Sequence, residues 1–187
     1  MSAFISVAAG FAFSYFNSKL QEERKARIDR VNDQLKNFYG PLLSCVCSTK
    51  SAYEAMIYQH SKDGSYTDFQ NCLTEEPSGQ EASAYRLWTE EVLQPLNEKA
   101  ASIIMDHIDL LDTPTLEPCL LQLVAHVCAL RVTLSRWRKG DMTAFSVIPY
   151  PDAISEYVRG EFGRMKQRQA SLLNTPIDSS ITMRSKL

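Results

Sequence analysis

Apolar positions recur along most of the chain at three- and four-residue steps, the period of a helix with one face turned inward. Ile28, Val31, Leu35 and Phe38 mark the first such face, and Tyr39-Gly40-Pro41 reads as its end: glycine suits the left-handed C-terminal position and proline cannot continue the ladder. A second helix is predicted from about Leu42 to Tyr58, with Leu42, Val46, Tyr53, Met56 and Ile57 inward, followed by a turn at Lys62-Asp63-Gly64-Ser65. A short helical piece from Asp68 to Leu73 leads to Glu76-Pro77-Ser78-Gly79, where Ser78 and Glu81 have the spacing of a capping box. The next helix carries Tyr85, Trp88, Val92, Leu96, Ile103 and Ile104, with Pro95 expected to kink or split it, and closes at Asp112-Thr113-Pro114. From Leu116, the residues Leu120, Leu123, Val127, Leu130, Leu134 and Trp137 step 4-3-4-3-4-3 until Gly140, which predicts the central core helix. Residues 140–150 read as a loop, extended at Phe145 to Ile148. A last helix with Pro151 at its first position buries Ile154, Val158, Phe162, Met165 and Leu172.

The two ends break this pattern. Residues 1–18 carry no charge and include Phe4, Ile5, Val7, Phe11, Phe13, Tyr15 and Phe16 among small residues. As a helix the segment is about 27 Å long, slightly short of a hydrocarbon core of about 30 Å. The charged stretch Lys19 to Arg27 follows, where a membrane anchor would meet headgroups. Residues 175–187 form a polar tail, expected to lack order, that ends in Ser185-Lys186-Leu187, a match to the tripeptide read by the peroxisomal import receptor. The organisation predicted is an apolar segment 1–18, a helical domain 19–174 and the tail 175–187, an all-α bundle of about five helices with a long apolar-to-amphipathic N-terminal helix.

Composition narrows the function. The 187 residues suffice for one domain with a core of its own. Twenty Lys and Arg against 22 Asp and Glu give a net charge of −2, far from the basic balance that nucleic-acid binding requires, so no nucleic-acid partner is expected. Seven glycines and eight prolines, the latter mostly between periodic segments, suit helices better than a sheet rich in tight turns. The five cysteines are odd in number and read as reduced thiols of an intracellular protein.

Chemistry-bearing motifs are sparse. There is no Gly-x-Ser-x-Gly elbow, phosphate loop or dinucleotide fingerprint, and no Glu-x-x-His pair for a metal in a helical bundle. No cofactor and no metal are expected. Cys45 and Cys47 lie about 200° apart on a helix and read as buried small hydrophobes. His107 shares a face with Ile103 and reads as a boundary histidine, with Asp106, Asp109 and Asp112 as a solvated acidic strip. Arg131, Arg136, Arg138 and Lys139 gather at the end of the central helix, and Arg159, Arg164, Lys166 and Arg168 along the last. Macrodipole compensation accounts for the first group, and contact of both with an anionic membrane or acidic partner is the functional alternative.

The stretch Gln34-Leu35-Lys36-Asn37-Phe38-Tyr39-Gly40-Pro41-Leu42-Leu43 resembles a motif of uncharacterised microbial proteins in which an apolar N-terminal helix precedes Gln-Leu, a short spacer and Tyr-Gly-Pro-Leu. The resemblance covers residues 1 to about 60 and implies a membrane-proximal helical domain without an assigned activity.

The leading expectation is therefore a non-enzymatic interaction or scaffold protein, held at an intracellular membrane or on a protein partner by Phe4, Ile5, Val7, Phe11, Phe13 and Phe16. The alternative is a soluble peroxisomal enzyme or ligand-binding module, imported through Ser185, Lys186 and Leu187, with a pocket between helices drawing on His107, Asp106 or Tyr85. A subunit of a larger complex, its N-terminal helix packed on other chains, is the third reading.

Overall fold

The computed structural model describes residues 2–61, 64–113 and 115–174, with side chains described from residue 14 onward. The fold is all-α: among the described residues there is no strand, and five continuous helical runs carry the domain. The first run comprises α1 (Ser2–Asp33), a π-turn (Gln34–Tyr39) and α2 (Gly40–His60). Next comes α3 (Tyr66–Glu75), then a run of α4 (Gln80–Trp88), a second π-turn (Thr89–Leu93) and α5 (Gln94–Asp106). A short 3-10 turn (Ile108–Leu110) precedes α6 (Pro118–Arg138) and α7 (Ile154–Asn174).

The first run corrects the sequence reading at Tyr39-Gly40-Pro41, which is not a helix end. Tyr39 and Gly40 are both right-handed helical, Gly40 at φ −65° and ψ −55°, and the helix passes straight through. Proline is accommodated because the turn before it is wider: the Gly40 N–H bonds the Leu35 carbonyl five residues back, and Pro41 needs no N–H. Pro95 is handled alike, since Gln94 N–H bonds the Thr89 carbonyl and the run neither splits nor stops. Each π-turn adds one residue and rotates the inward face. Phe38 is buried as expected, but Gln34 and Tyr39 are buried with it while Leu35 is only partly buried, and Leu93, Gln94 and Asn97 are buried where Val92 and Leu96 were expected.

Glycine at position 40 is dictated by this geometry. A Cβ there would lie 2.5 Å from the Leu35 carbonyl oxygen, far inside normal contact. The predicted capping box at Ser78 is absent, because Gly79 takes the N-cap of α4 and makes no side-chain cap bond. Ser65 supplies a cap instead, its hydroxyl accepting from the Asp68 N–H at 3.1 Å to start α3. Helix α7 begins at Ile154, three residues after Pro151, while Lys62, Asp63 and Pro114 of the predicted turns lie outside the described residues.

The core forms where α2 packs on α5, α5 on α6, and α7 along α1, the first π-turn and α2. Phe38, Tyr39, Leu42, Leu120, Leu123, Ile154, Val158 and Met165 close the main cluster, and burying each such side chain contributes about 1.5–3 kcal/mol. The predicted seam of α6 is borne out: Leu120, Leu123, Val127, Leu130, Leu134 and Trp137 are all buried. A second cluster of Met56, Ile57, Phe69, Leu73 and Ala82 joins α3 and α4 to the far end of α2.

Candidate functional site

Among the described side chains, α1 meets the bundle from Arg24 onward, and those from Ser14 to Glu23 are exposed apart from Asn17. Its C-terminal half lies on α7, where the Arg24 guanidinium donates to the Leu172 carbonyl at 2.8 Å and the Leu173 carbonyl at 3.3 Å. These belong to the last carbonyls of α7, which no intrahelical N–H can reach, so a cation from a neighbouring helix caps the end. Gln169 Nε2 donates to Asn32 Oδ1 at 2.6 Å and the Arg30 guanidinium to the Asp109 carbonyl, also at 2.6 Å. From Glu23 back to Ser2 the helix runs about 33 Å further. On that arm Tyr15, Phe16 and Leu20 are 66%, 64% and 56% exposed. Of the expected membrane segment, Phe16 is thus solvent-facing on the arm. The side chains of Phe4, Ile5, Val7, Phe11 and Phe13, and all of Ser185, Lys186 and Leu187, lie outside the described residues.

Among the described residues one helix, α6, is long and apolar enough to cross a membrane. Its core seam is packed inside the bundle, with the Trp137 indole N–H donating to the Ala144 carbonyl at 2.8 Å. Lifting α6 into lipid would open the main cluster.

The two arginine groups are largely paired. Arg131 meets Glu98 at 2.7 Å, Arg136 meets Asp141 and Arg138 meets Glu90 at 2.6 Å each, and Arg168 meets Asp112 at 2.7 Å. Arg164 is held by Glu161. Each carboxylate cancels a positive charge that an anionic surface would have used, and exposed pairs of this kind add only about 0.2–1 kcal/mol. Arg131 and Glu98 each favour their charged form through that hydrogen bond.

Both π-turns mark a buried glutamine with the same surroundings. Gln34, fully buried, donates to the Leu110 carbonyl at 2.7 Å and to Asp112 at 2.8 Å, the carboxylate that also binds Arg168. Gln94 donates to the Val127 carbonyl at 3.3 Å and to Glu98 at 3.1 Å, the carboxylate that also binds Arg131. The amide oxygens of both have no partner, and an unmet buried acceptor costs about 1–3 kcal/mol. Sequence periodicity missed these residues because it placed leucines on those faces.

His107 and Asp106 end α5, while Tyr85 stands on α4, about 33 Å away along one continuous helical run, so the three cannot line one pocket. Tyr85 instead packs edge-on against Trp137, ring centroids 6.0 Å apart. Asp112 is an ion-pair and hydrogen-bond partner, and the strip Asp106, Asp109 and Asp112 is exposed. The histidine that is built in is His126, only 9% exposed, its Nδ1 2.7 Å from the Ile148 carbonyl and its ring edge-on to Tyr150. A carbonyl only accepts, so Nδ1 carries the proton. Burial pushes the ring below its ordinary value of 6.5, partly offset by that bond. The Tyr150 hydroxyl is buried without a partner and pushed up to about 12 by burial and by Cys45 and Cys47.

An open groove of about 570 Å³ lies between α2 and the start of α3, lined by Lys50, Tyr53, Glu54, Ile57, Tyr58 and Tyr66. Gln70 Nε2 donates to the Tyr53 hydroxyl at 2.9 Å, which fixes that ring. No group of three metal-ligating side chains occurs among the described residues, and all five cysteines are free thiols, of which Cys128 is the exposed one. No family model matches the chain, and no curated protein or solved structure is significantly similar to it.

Proposed function

We propose that this chain is a helical interaction protein tethered to an intracellular membrane by the N-terminal arm of α1, acting through contact rather than catalysis. The observation that carries the reading is the exposure of Tyr15, Phe16 and Leu20 where α1 has left α7, continuous with a chargeless segment back to the first residue. Large apolar side chains on an isolated helix gain about 1.5–3 kcal/mol each on leaving water. Tyr and Phe at the boundary, followed by Lys19, Arg24, Lys25 and Arg27, form the order that a helix entering a headgroup layer requires. The resemblance of residues 34–43 to a motif that follows apolar helices supports the same reading.

Alkaline carbonate extraction of membranes, following the untagged full chain and a chain lacking residues 2–18, tests it. The full chain is expected in the pellet and the shortened one in the supernatant, with helicity retained from α2 onward. Release of the full chain, or retention of the shortened one, overturns the tether. The competing address is import into peroxisomes through Ser185-Lys186-Leu187; it predicts that removal of Leu187 alone, with residues 2–18 intact, relocates the protein to the cytosol.

A further inference from the structure

Helix α6 has two apolar seams, and only one faces the core. The second runs down the outside in steps of 4, 3 and 4 through Leu121, Ala125, Cys128 and Val132. Leu121 is 51% and Val132 62% exposed, and Cys128 is exposed as well. The loop after α6 turns back along its flank, held by Gln122 to the Pro149 carbonyl at 3.3 Å and His126 to the Ile148 carbonyl at 2.7 Å. The same loop exposes Phe145, 44%, and Val147, 89%.

We propose that this face is a self-association surface, on which the α6 of a second copy of the chain packs antiparallel about a two-fold axis between Ala125 and Cys128. The size pattern of the seam selects that occupant. The outer seam is symmetric in size about its middle: small residues at the centre, one large aliphatic at each end. Two helices crossing at an angle approach most closely at the crossing point and diverge beyond it, so small side chains belong at the centre and larger ones outward. A two-fold axis there sets Leu121 level with Val132 of the copy and Ala125 level with Cys128, so one surface complements itself. A lipid layer would favour large aromatic and aliphatic residues at the centre of such a face, where this one has Ala125 and Cys128.

Charge fixes the direction. The N-terminal end of α6 carries Glu117, and the C-terminal end carries Lys139 beyond Arg136 and Arg138, whose charges Asp141 and Glu90 offset. A parallel copy would stack the basic ends on each other. The antiparallel copy brings Glu117 level with the basic last turn of its partner and sets the helix dipoles side by side in opposite directions. Stable dimers cover about 800 Å² on each partner, more than one helix face supplies. The loop bearing Phe145 and Val147 therefore belongs to the contact. The two Cys128 residues are then offset by only about 4–5 Å along the helices.

This surface and the membrane tether rest on different residues, so each can fail without the other. The full-length chain in mild detergent is measured by light scattering and treated with a short bismaleimide. The expected results are twice the chain mass of 21.1 kDa and a cross-linked dimer that Cys128→Ser removes. Val132→Glu and Val147→Glu should each weaken the dimer at least tenfold, with unchanged helicity, while Leu87→Glu, at an exposed residue of α4, should leave it intact. Leu121→Lys repeats the test from the other end should Val132→Glu misfold. A monomer at all concentrations overturns the proposal, as does a dimer indifferent to Val132→Glu or one lost only with residues 2–18. Vesicle binding that depends on Val132 in a chain of monomer mass would assign the face to lipid instead.

Discussion

Replacing Gly40 by alanine should destabilise the protein, although alanine is ordinarily the better helix residue. In a regular helix Gly→Ala gains about 0.5–1 kcal/mol, because glycine loses more freedom on folding. Gly160, inside α7, is such a site: a Cβ there meets nothing within 4 Å. At Gly40 the new Cβ would sit 2.5 Å from the Leu35 oxygen, and the obstacle is backbone held by the π-turn's own hydrogen bond. Forcing a methyl into packed surroundings costs about 1–3 kcal/mol. The net expectation is a loss of about 1–2 kcal/mol for Gly40→Ala and a gain of about 0.5–1 kcal/mol for Gly160→Ala. For a chain of this size each kcal/mol moves Tm by about 2–4 °C, so the two variants should part by several degrees on opposite sides of the parent. Urea midpoints with unchanged slopes provide the same comparison at one temperature. Equal stabilisation by both variants would refute the argument, for it would mean that the chain passes Pro41 without the wide turn.

Two further outcomes follow from side chains that fix loops and helix ends. The His126 ring stays neutral when buried, whereas in the unfolded chain it takes a proton near pH 6.5; stability should be flat above that pH and fall as the pH drops below it, until the lower folded-state value is passed. His126→Asn, which keeps a donor toward the Ile148 carbonyl but cannot titrate, should flatten chemical-denaturation stability just below about pH 6.5, and an undiminished slope would place its origin elsewhere. Ser65→Ala should cost about 0.5–2 kcal/mol by leaving the Asp68 N–H without its cap. Amide exchange should then quicken in the first turn of α3 and not in α6, whereas unchanged exchange there would show that the cap contributes nothing.

Sequence periodicity was sufficient where the backbone stayed regular. The seam Leu120 to Trp137 is read correctly because nothing interrupts its turns. It was incomplete at the π-turns: Gln34 opens the first and Gln94 follows the second, and both are buried on faces where the pattern had placed Leu35 and Leu96. Tyr-Gly-Pro has the composition of a helix stop, and only three-dimensional context reveals it as a through-passage. Of the candidate functional residues, the apolar run before Lys19 was legible as an uncharged stretch. Its release from α7 was not, since that depends on Arg24 meeting a helix end 148 positions away. His107, Asp106 and Tyr85 were grouped by chemical type, and a helix too straight to fold back on itself keeps them apart.

The unbroken path from α1 into α2 bears on how the molecule behaves as a machine part. A flexible joint between an arm and a domain lets the domain tumble freely about its attachment; here there is no joint. The backbone that leaves the arm becomes the helix against which α5 and α7 are packed, so a torque applied near Tyr15 is delivered to Leu42 and Val46 without an intervening hinge. Whatever grips the arm consequently sets the heading of the whole bundle, and the wide turn at Gln34–Tyr39, clasped by α7 and α5, is the point through which that load enters the core.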